Sequence, residues 1–489
     1  MESYKLTVHE AVDLIKKKKV SSYELTQAVL NRVKQVEKDV NAFITLTDES
    51  AMEEARNVDM LINQGENISD LAGIPFGLED SICTEGVRTT CASKMLENFV
   101  PPYEATVSRK LREQNGILMG KLNMDEFSLG ITTETSYFNK TRNPWDVNQS
   151  VGSFTGGAAA SVAADEVFYA LATDTGGSLR RNAALCGVAG LKPSYGMVSR
   201  YGVILSTSSL AQVGVIAKDV RDCATILQII SGHDTKDPMT VRKDADNGMA
   251  DLESGIKGLR IGVPKEYFDG CLDDYVADAL KNALKVFEDL GASIEEISLP
   301  SVGYAPAVYS TILSAEASSN LGRYDGIRFG YKAEGCQEVD DIYKKSRSQG
   351  FGDEVKLRVM LGNHILSAGN YDRYYLKALK VRTIIKQEFE KAFDECDIIV
   401  SPACSTTGAK LGQDADESLK VFLTDIYTAP ASIIGLPALS IPCGFDDNGF
   451  PVGMQLMGRA SDESTLLKAG LCFEQNTDYH IKRPVINWR

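Results

Sequence analysis

Residues 174–178 read Asp-Thr-Gly-Gly-Ser, a serine set behind two glycines at the end of an apolar run. Two chemistries use such a turn. A glycine-rich loop after a strand can cradle phosphate on its backbone N–H groups. That use wants a lysine in a Gly-Lys-Ser/Thr position, and none stands here. The other use is a nucleophile turn. Its glycines leave successive N–H groups free to face a developing oxyanion, with the Ser178 hydroxyl beside them. A tight strand-to-helix turn without chemistry accounts for the same five residues equally well.

Other reactive residue types are sparse or scattered. The ten cysteines form no C-x-x-C, and four histidines leave little for zinc, so neither a metal nor a cofactor is expected. Lys and Arg number 52 against 67 Asp and Glu, a net charge of −15 at pH 7. So acidic a chain is a poor nucleic-acid binder, because phosphate contact needs a basic face. If RNA matters, another subunit supplies that surface. The N-terminus lacks the apolar core of a signal peptide, and no run of 18 apolar residues suggests a membrane span. A cytoplasmic protein with no membrane contact is expected. At 489 residues, 43% hydrophobic and 24% charged, the composition is that of an ordinary globular chain.

The elements that must position Ser178 follow from pattern. The first 60 residues or so read as helices. Ser21 and Glu24 form an S-x-x-E capping box ahead of Leu25, Val29, Val33 and Val36 at helical spacing. Residues 71–83, 115–123 and 166–174 read as strands, the last running into the turn that holds Ser178. Residues 219–231 read as a helix and 259–267 as a strand. Residues 273–291 form a strong amphipathic helix closed by Gly291. A strand at 292–300 precedes a mostly helical insertion at about 303–395. Another strand covers 396–404, a hairpin turns at Asp447-Asn448-Gly449, and a helix with an S-x-x-S cap from Ser461 closes the chain. Alternating strands and helices predict an α/β fold: one domain over 1–489, with a large central mixed β-sheet covered by helices on both faces.

A resemblance sharpens these expectations. In order, LAGIPFGLEDSICTEG, NMDEFSLGITTETS, TRNPWD, GSFTGG, DTGGSLR and GVAGLKPSYGMVSRYG resemble the amidase signature family nearly end to end. SAEASSNLGRYDGIRFG at 314–330 and LSAGNYDRYYLKALKVR at 366–382, inside the helical insertion, resemble its tRNA-dependent amidotransferase branch. That branch implies B-type and C-type partner subunits, glutamine as a source of ammonia, and tRNA reached only through the partner. The family implies a Lys–Ser–Ser triad, in which a neutral lysine takes a proton through a bridging serine while the second serine attacks an amide.

Here the carry-over breaks. Ser178 stands at the nucleophile position, and Thr175, Gly176 and Gly177 match the oxyanion loop. The lysine position holds Glu79 and the bridging position holds Phe154. A buried glutamate without a cationic partner takes up a proton, which moves it toward a useful base range. Phenylalanine, though, has no atom that relays a proton, and the neighbouring Thr155 hydroxyl leaves the turn in another direction. Further departures are Ala211 within 209–215 and the Arg180-Arg181-Asn182-Ala183 run after the nucleophile. The resemblance also implies that Arg358 and Asp425 hold the α-carboxylate and α-amino group of glutamine, with Tyr309 packed nearby. A guanidinium fork suits a carboxylate, although a structural ion pair is a second use for Arg358. The expected function is therefore an A-type amidotransferase subunit with a degenerate triad. The alternatives are an active glutaminase using Ser178 with an atypical base, and a stand-alone amidase on another small amide with Glu79 as base.

Overall fold

A computed structural model describes residues 2–130, 133–242, 251–268, 272–408, 410–411 and 425–486. At the N-terminus lie α1 (Val8–Lys16), α2 (Ser22–Val40) and α3 (Asp48–Asn63). The Ser21 capping box closes reciprocally: Ser21 Oγ accepts the Glu24 N–H at 3.0 Å, and Glu24 Oε2 accepts the Ser21 N–H at 2.9 Å. The stretch read as helices also contains a short strand, β1 (Phe43–Leu46), which forms an edge of the sheet. At four residues it is too short to register as a periodic pattern.

The remaining strands are β2 (Pro75–Glu79), β3 (Ile117–Leu122), β4 (Tyr169–Asp174), β5 (Ala189–Lys192), β6 (Gln212–Ala217), β7 (Arg260–Pro264), β8 (Ser293–Ile297), β9 (Ile398–Pro402), β10 (Ala438–Phe445) and β11 (Pro451–Gly458). Among the described residues these eleven strands join one sheet in the order β1-β3-β2-β4-β6-β5-β10-β11-β9-β7-β8. Pairing is mixed: β2 runs parallel to β3 and β4, whereas β4 and β6 are antiparallel. β3, β4, β6, β9 and β11 are buried at every position, so both faces of the central sheet are covered. The 209–215 stretch supplies the start of β6, although its sequence shows only small and mixed residues there.

The covering helices are α4 (Thr106–Glu113), α5 (Gly156–Ala163), α6 (Ser178–Cys186), α7 (Val220–Ile230) and α8 (Asp274–Asp289). Then follow α9 (Ala305–Asn320), α10 (Val339–Gly350), α11 (Asp353–Leu366) and α12 (Lys377–Glu395), with a π-helical turn at Asp372–Leu376. After these come α13 (Asp425–Ile433) and α14 (Glu463–Gln475). The cap of α14 is Asp462, whose Oδ1 accepts the Thr465 N–H at 3.3 Å, rather than Ser461.

Two apolar clusters hold the chain together. One surrounds the sheet with residues of α1, α2, α5, α7, α8 and α14. The other gathers α9, α12 and α13 with Phe127, Leu210 and Phe154. No helix among the described residues is long and apolar enough to cross a membrane.

Candidate functional site

β2 and β4 are parallel neighbours, with Leu78 opposite Leu171. Glu79 and Thr173 therefore meet where the two strands end, the side of an α/β sheet where ligands gather. β4 runs out at Asp174, and α6 begins four residues later at Ser178. Gly177 carries the chain through φ +117°, a backbone state that side-chain-bearing residues rarely adopt. Gly176 is required for space, since a Cβ there would lie 2.3 Å from Tyr309 Cζ. Asp174 closes the turn by accepting the Gly177 N–H at 2.8 Å and the Ser432 hydroxyl at 3.0 Å. The fully buried Arg180 grips the same carboxylate at 2.9 and 3.0 Å and also reaches Gln455. Burial alone would raise the Asp174 pKa, but the Arg180 guanidinium holds it below the ordinary range. The Gly177 N–H is committed to Asp174, while those of Thr175 and Gly176 have no partner among the described residues.

The Ser178 hydroxyl is buried and donates to the Thr173 carbonyl at 3.3 Å. No base lies in hydrogen-bond contact with it among the described residues. Glu79 is wholly buried and its carboxylate is turned elsewhere. It accepts the Thr173 N–H at 3.0 Å, the Thr173 hydroxyl at 2.7 Å and the Ser81 hydroxyl at 2.5 Å. Burial pushes its pKa up to about 7, against the pull of these hydrogen bonds and of the nearby Lys121 charge. The expectation that Glu79 has no cation near it is thus corrected. Lys121, on β3 beside it, is buried and donates to the Ile82 carbonyl and, at 3.0 Å, to Thr89.

The Glu79 shift predicts a pH dependence. Between an unfolded pKa of 4.5 and a folded value of about 7, the native state holds a proton that the unfolded chain has released. Stability is therefore lost as pH rises through that window. Replacing Glu79 by Gln is expected to stabilise the protein by about 3 kcal/mol at pH 8 and by about 1 kcal/mol or less at pH 5. Denaturant titrations of both proteins at the two pH values check this. Equal gains at both would mean Glu79 ionises in the fold as easily as in water.

Phe154 adopts φ +54° and buries its ring in the cluster built on α9, α12 and α13. Its backbone is clamped by Asp125: the Phe154 N–H donates to Asp125 Oδ2 at 2.8 Å, and the Asp125 N–H donates to the Phe154 carbonyl at 2.7 Å. Asn182, one turn past Ser178, holds the flanking residues. Its Oδ1 accepts the Ser153 N–H at 2.9 Å, and its Nδ2 donates to the Thr155 hydroxyl at 3.1 Å. Thr155 is thereby occupied by an amide. Asp125 and Asn182 were not singled out for these roles from the sequence. Their only signals are their places in NMDEFS and in the altered 180–183 run.

The residues expected to hold an amino acid lie on three helices. Tyr309 (α9) sits over Gly176, buried, with no hydrogen-bond partner for its hydroxyl among the described residues. Arg358 (α11) bonds Glu354 at 2.9 Å and Ser310 at 3.3 Å, so the structural ion pair weighed for it is present. Asp425, at the start of α13, is bound by the Arg181 guanidinium. Burial works against the charge on Arg181, and Asp425 outweighs it, lifting the guanidinium pKa above its ordinary value. The structure thus brings Ser178, Gly176, Tyr309, Arg181 and Asp425 to one place. No hydrogen bond links Glu79 or Phe154 to Ser178 among the described residues.

One cluster bears on the absence of metal expected from sequence. The ligand atoms of His9, Asp219 and Asp222 lie within 4.8 Å of one another. Asp222 accepts the Val8 and His9 N–H groups at 2.6 and 3.0 Å, and Asp219 accepts the Asp222 N–H at 2.8 Å. These are helix-capping bonds, and His9 Nδ1 also lies 2.9 Å from Asp222 Oδ1.

Comparison with known proteins places this geometry. A family model described as Amidase matches residues 24–467. The chain is 50% identical over 486 residues to the A subunit of glutamyl-tRNA(Gln) amidotransferase from Caldanaerobacter subterraneus subsp. tengcongensis, covering 99% of each protein. It is equally similar, over the same span and coverage, to the corresponding protein of Thermoanaerobacter pseudethanolicus. The crystal structure of the glutamyl-tRNA(Gln) amidotransferase A subunit from Thermotoga maritima superposes with a TM-score of 0.82 at 37% identity, over 100% of this chain and 98% of that one.

Proposed function

The chain belongs to the amidase family, and from that premise we propose that it is an A-type subunit of a tRNA-dependent amidotransferase whose own amide-hydrolysing centre is silent. It would assemble with B-type and C-type subunits in the cytoplasm, and reach tRNA only through them. Its net charge of −15 fits a component that leaves tRNA contact to a basic partner.

The observation that carries the reading is the direction of the Ser178 hydroxyl. It donates to the Thr173 carbonyl, a group that accepts a hydrogen bond but passes no proton on. Nucleophilic catalysis needs a base within reach of the hydroxyl proton. Glu79 has a pKa of about 7, suited to a general base, yet its oxygens are engaged by Thr173 and Ser81. Phe154 fills the bridging position with an apolar ring that also adds to the insertion's core. Geometry therefore counts against Glu79 as a working base, and with it against the active glutaminase and the stand-alone amidase.

Co-expression with B-type and C-type subunits tests the proposal. The expected result is a complex that elutes together and releases ammonia from glutamine no faster than the same complex carrying Ser178→Ala. Ammonia release that depends on Ser178 would overturn the silent centre. A chain that binds neither partner would overturn the assembly role.

A further inference from the structure

α6 and α13 face one another across the Gly176–Gly177 loop, each with two residues three apart on that side. Ser178 and Arg181 come from α6, Asp425 and Thr428 from α13, and residues at i and i+3 share a helix face. Side-chain contacts tie α13 to α6 and to its loop, Arg180 Nη2 donating to Ser432 Oγ at 2.8 Å among them. Thr428 Oγ1 donates to the Gly176 carbonyl at 2.9 Å, and Arg181 Nη2 donates to Asp425 Oδ1. The side chains of this ion pair are 6% and 14% exposed.

Around the pair, the unmet groups are donors. Arg181 Nε and the Tyr309 hydroxyl are buried and have no hydrogen-bond partner among the described residues. The phenol lies at the N-terminus of α6, where a Cβ on Gly176 would be 2.7 Å from Tyr309 Oη. Arg358 is close enough to act electrostatically on both Tyr309 and Asp425. A buried donor left unmet is costly, so such donors commonly await a ligand or a water. The helix N-terminus adds partial positive charge at the same place.

We propose that Arg181 takes the position of a ligand's cation opposite Asp425, and that the buried donors beside Ser178 bind a small carboxylate bearing no ammonium group. Such a carboxylate accepts from Arg181 Nε–H and Tyr309 O–H. A free α-amino acid brings an ammonium along with its carboxylate. That ammonium meets an Asp425 already bound and a guanidinium that repels it.

The inference rests on reading this cluster of side chains as a former amide site, but its readout is binding and does not depend on turnover. The test is calorimetric titration of the chain, in complex with its partner subunits, with L-glutamine and with 4-carbamoylbutanoate, the same amide without its amino group. The unchanged chain is expected to bind 4-carbamoylbutanoate at least about tenfold more tightly than glutamine, and Arg181→Gln is expected to reverse that order. Should Arg181→Gln not fold, Tyr309→Phe serves, with binding of 4-carbamoylbutanoate expected to weaken roughly tenfold. Equal or tighter binding of glutamine by the unchanged chain, or no binding of 4-carbamoylbutanoate, overturns the proposal. Ammonia release would instead overturn the silent centre and leave the order of affinities standing.

Discussion

A chain carrying both Glu79→Lys and Phe154→Ser is expected to release ammonia from 4-carbamoylbutanoate at least about a hundredfold faster than the unchanged chain. Adding Arg181→Gln is expected to extend that gain to glutamine. The Ser178 hydroxyl now donates to the Thr173 carbonyl. A serine at 154 supplies a hydroxyl that both accepts and donates, so it can relay that proton. It also replaces a bulky side chain held at φ +54°. A lysine at 79 would be wholly buried in the place of Glu79, beside a second lysine. Burial already lowers the pKa of Lys121, and the same burial keeps a lysine at 79 neutral enough to act as a base. Each change alone is expected to do little, because members of a proton relay act as a unit. A hundredfold gain corresponds to about 2.7 kcal/mol of transition-state stabilisation, modest for general-base catalysis. Ammonia release from the assembled complex is the measurement. A double variant that binds the amide yet stays at the unchanged chain's rate would count against a missing relay as the cause of the proposed silence of Ser178.

Replacing Arg180 by Met is expected to cost about 3–5 kcal/mol of stability. Arg180 and Asp174 are both fully buried, and the guanidinium meets the carboxylate through two nitrogens. Arg180 also holds Ser432 at 2.8 Å and reaches Gln455, linking the Ser178 turn to α13 and β11. Removing it leaves Asp174 without its ion-pair partner and with only the Lys192 charge, which makes no ion pair with it, acting on the carboxylate, and Gln455 and Ser432 each lose a partner. Combining Asp174→Asn with Arg180→Met removes the orphaned charge and is expected to recover a large part of the loss, because neutralising both partners costs far less than stranding one. Denaturation midpoints of the two single variants and the double variant read the coupling directly. A loss below about 1 kcal/mol for Arg180→Met alone would mean the pair contributes nothing net.

Much of the scaffold is legible in the chain because it is locally encoded. The amphipathic run at 273–291 becomes α8, and Gly291 follows it at φ +92°. The reciprocal cap at Ser21 and Glu24 is satisfied within four residues. The hairpin joins β10 to β11 around a glycine at position 449 with φ +82°. The elements missed include α4 and β6, and two whose local signal is weak. β1 has four residues, and α5 is a run of Gly, Ala and Ser whose helicity follows from packing against β4 and α6.

The site divides along the same line. By itself the sequence determined that a serine follows two glycines at a strand's end, and that Glu79 and Phe154 are the residues at the two positions where the family resemblance implies a lysine and a serine. Those facts need only residue identity and order. Only the tertiary structure decided what these residues touch. Glu79 meets Thr173 because β2 and β4 are neighbours although 94 residues apart in sequence. Asp125 pins Phe154 across 29 residues. Arg181 binds Asp425 across 244 residues because α6 and α13 pack on either side of one loop. Periodicity and propensity act over a few residues and survive in any fold. The partner a buried charge finds depends on which strands and helices the whole chain brings together.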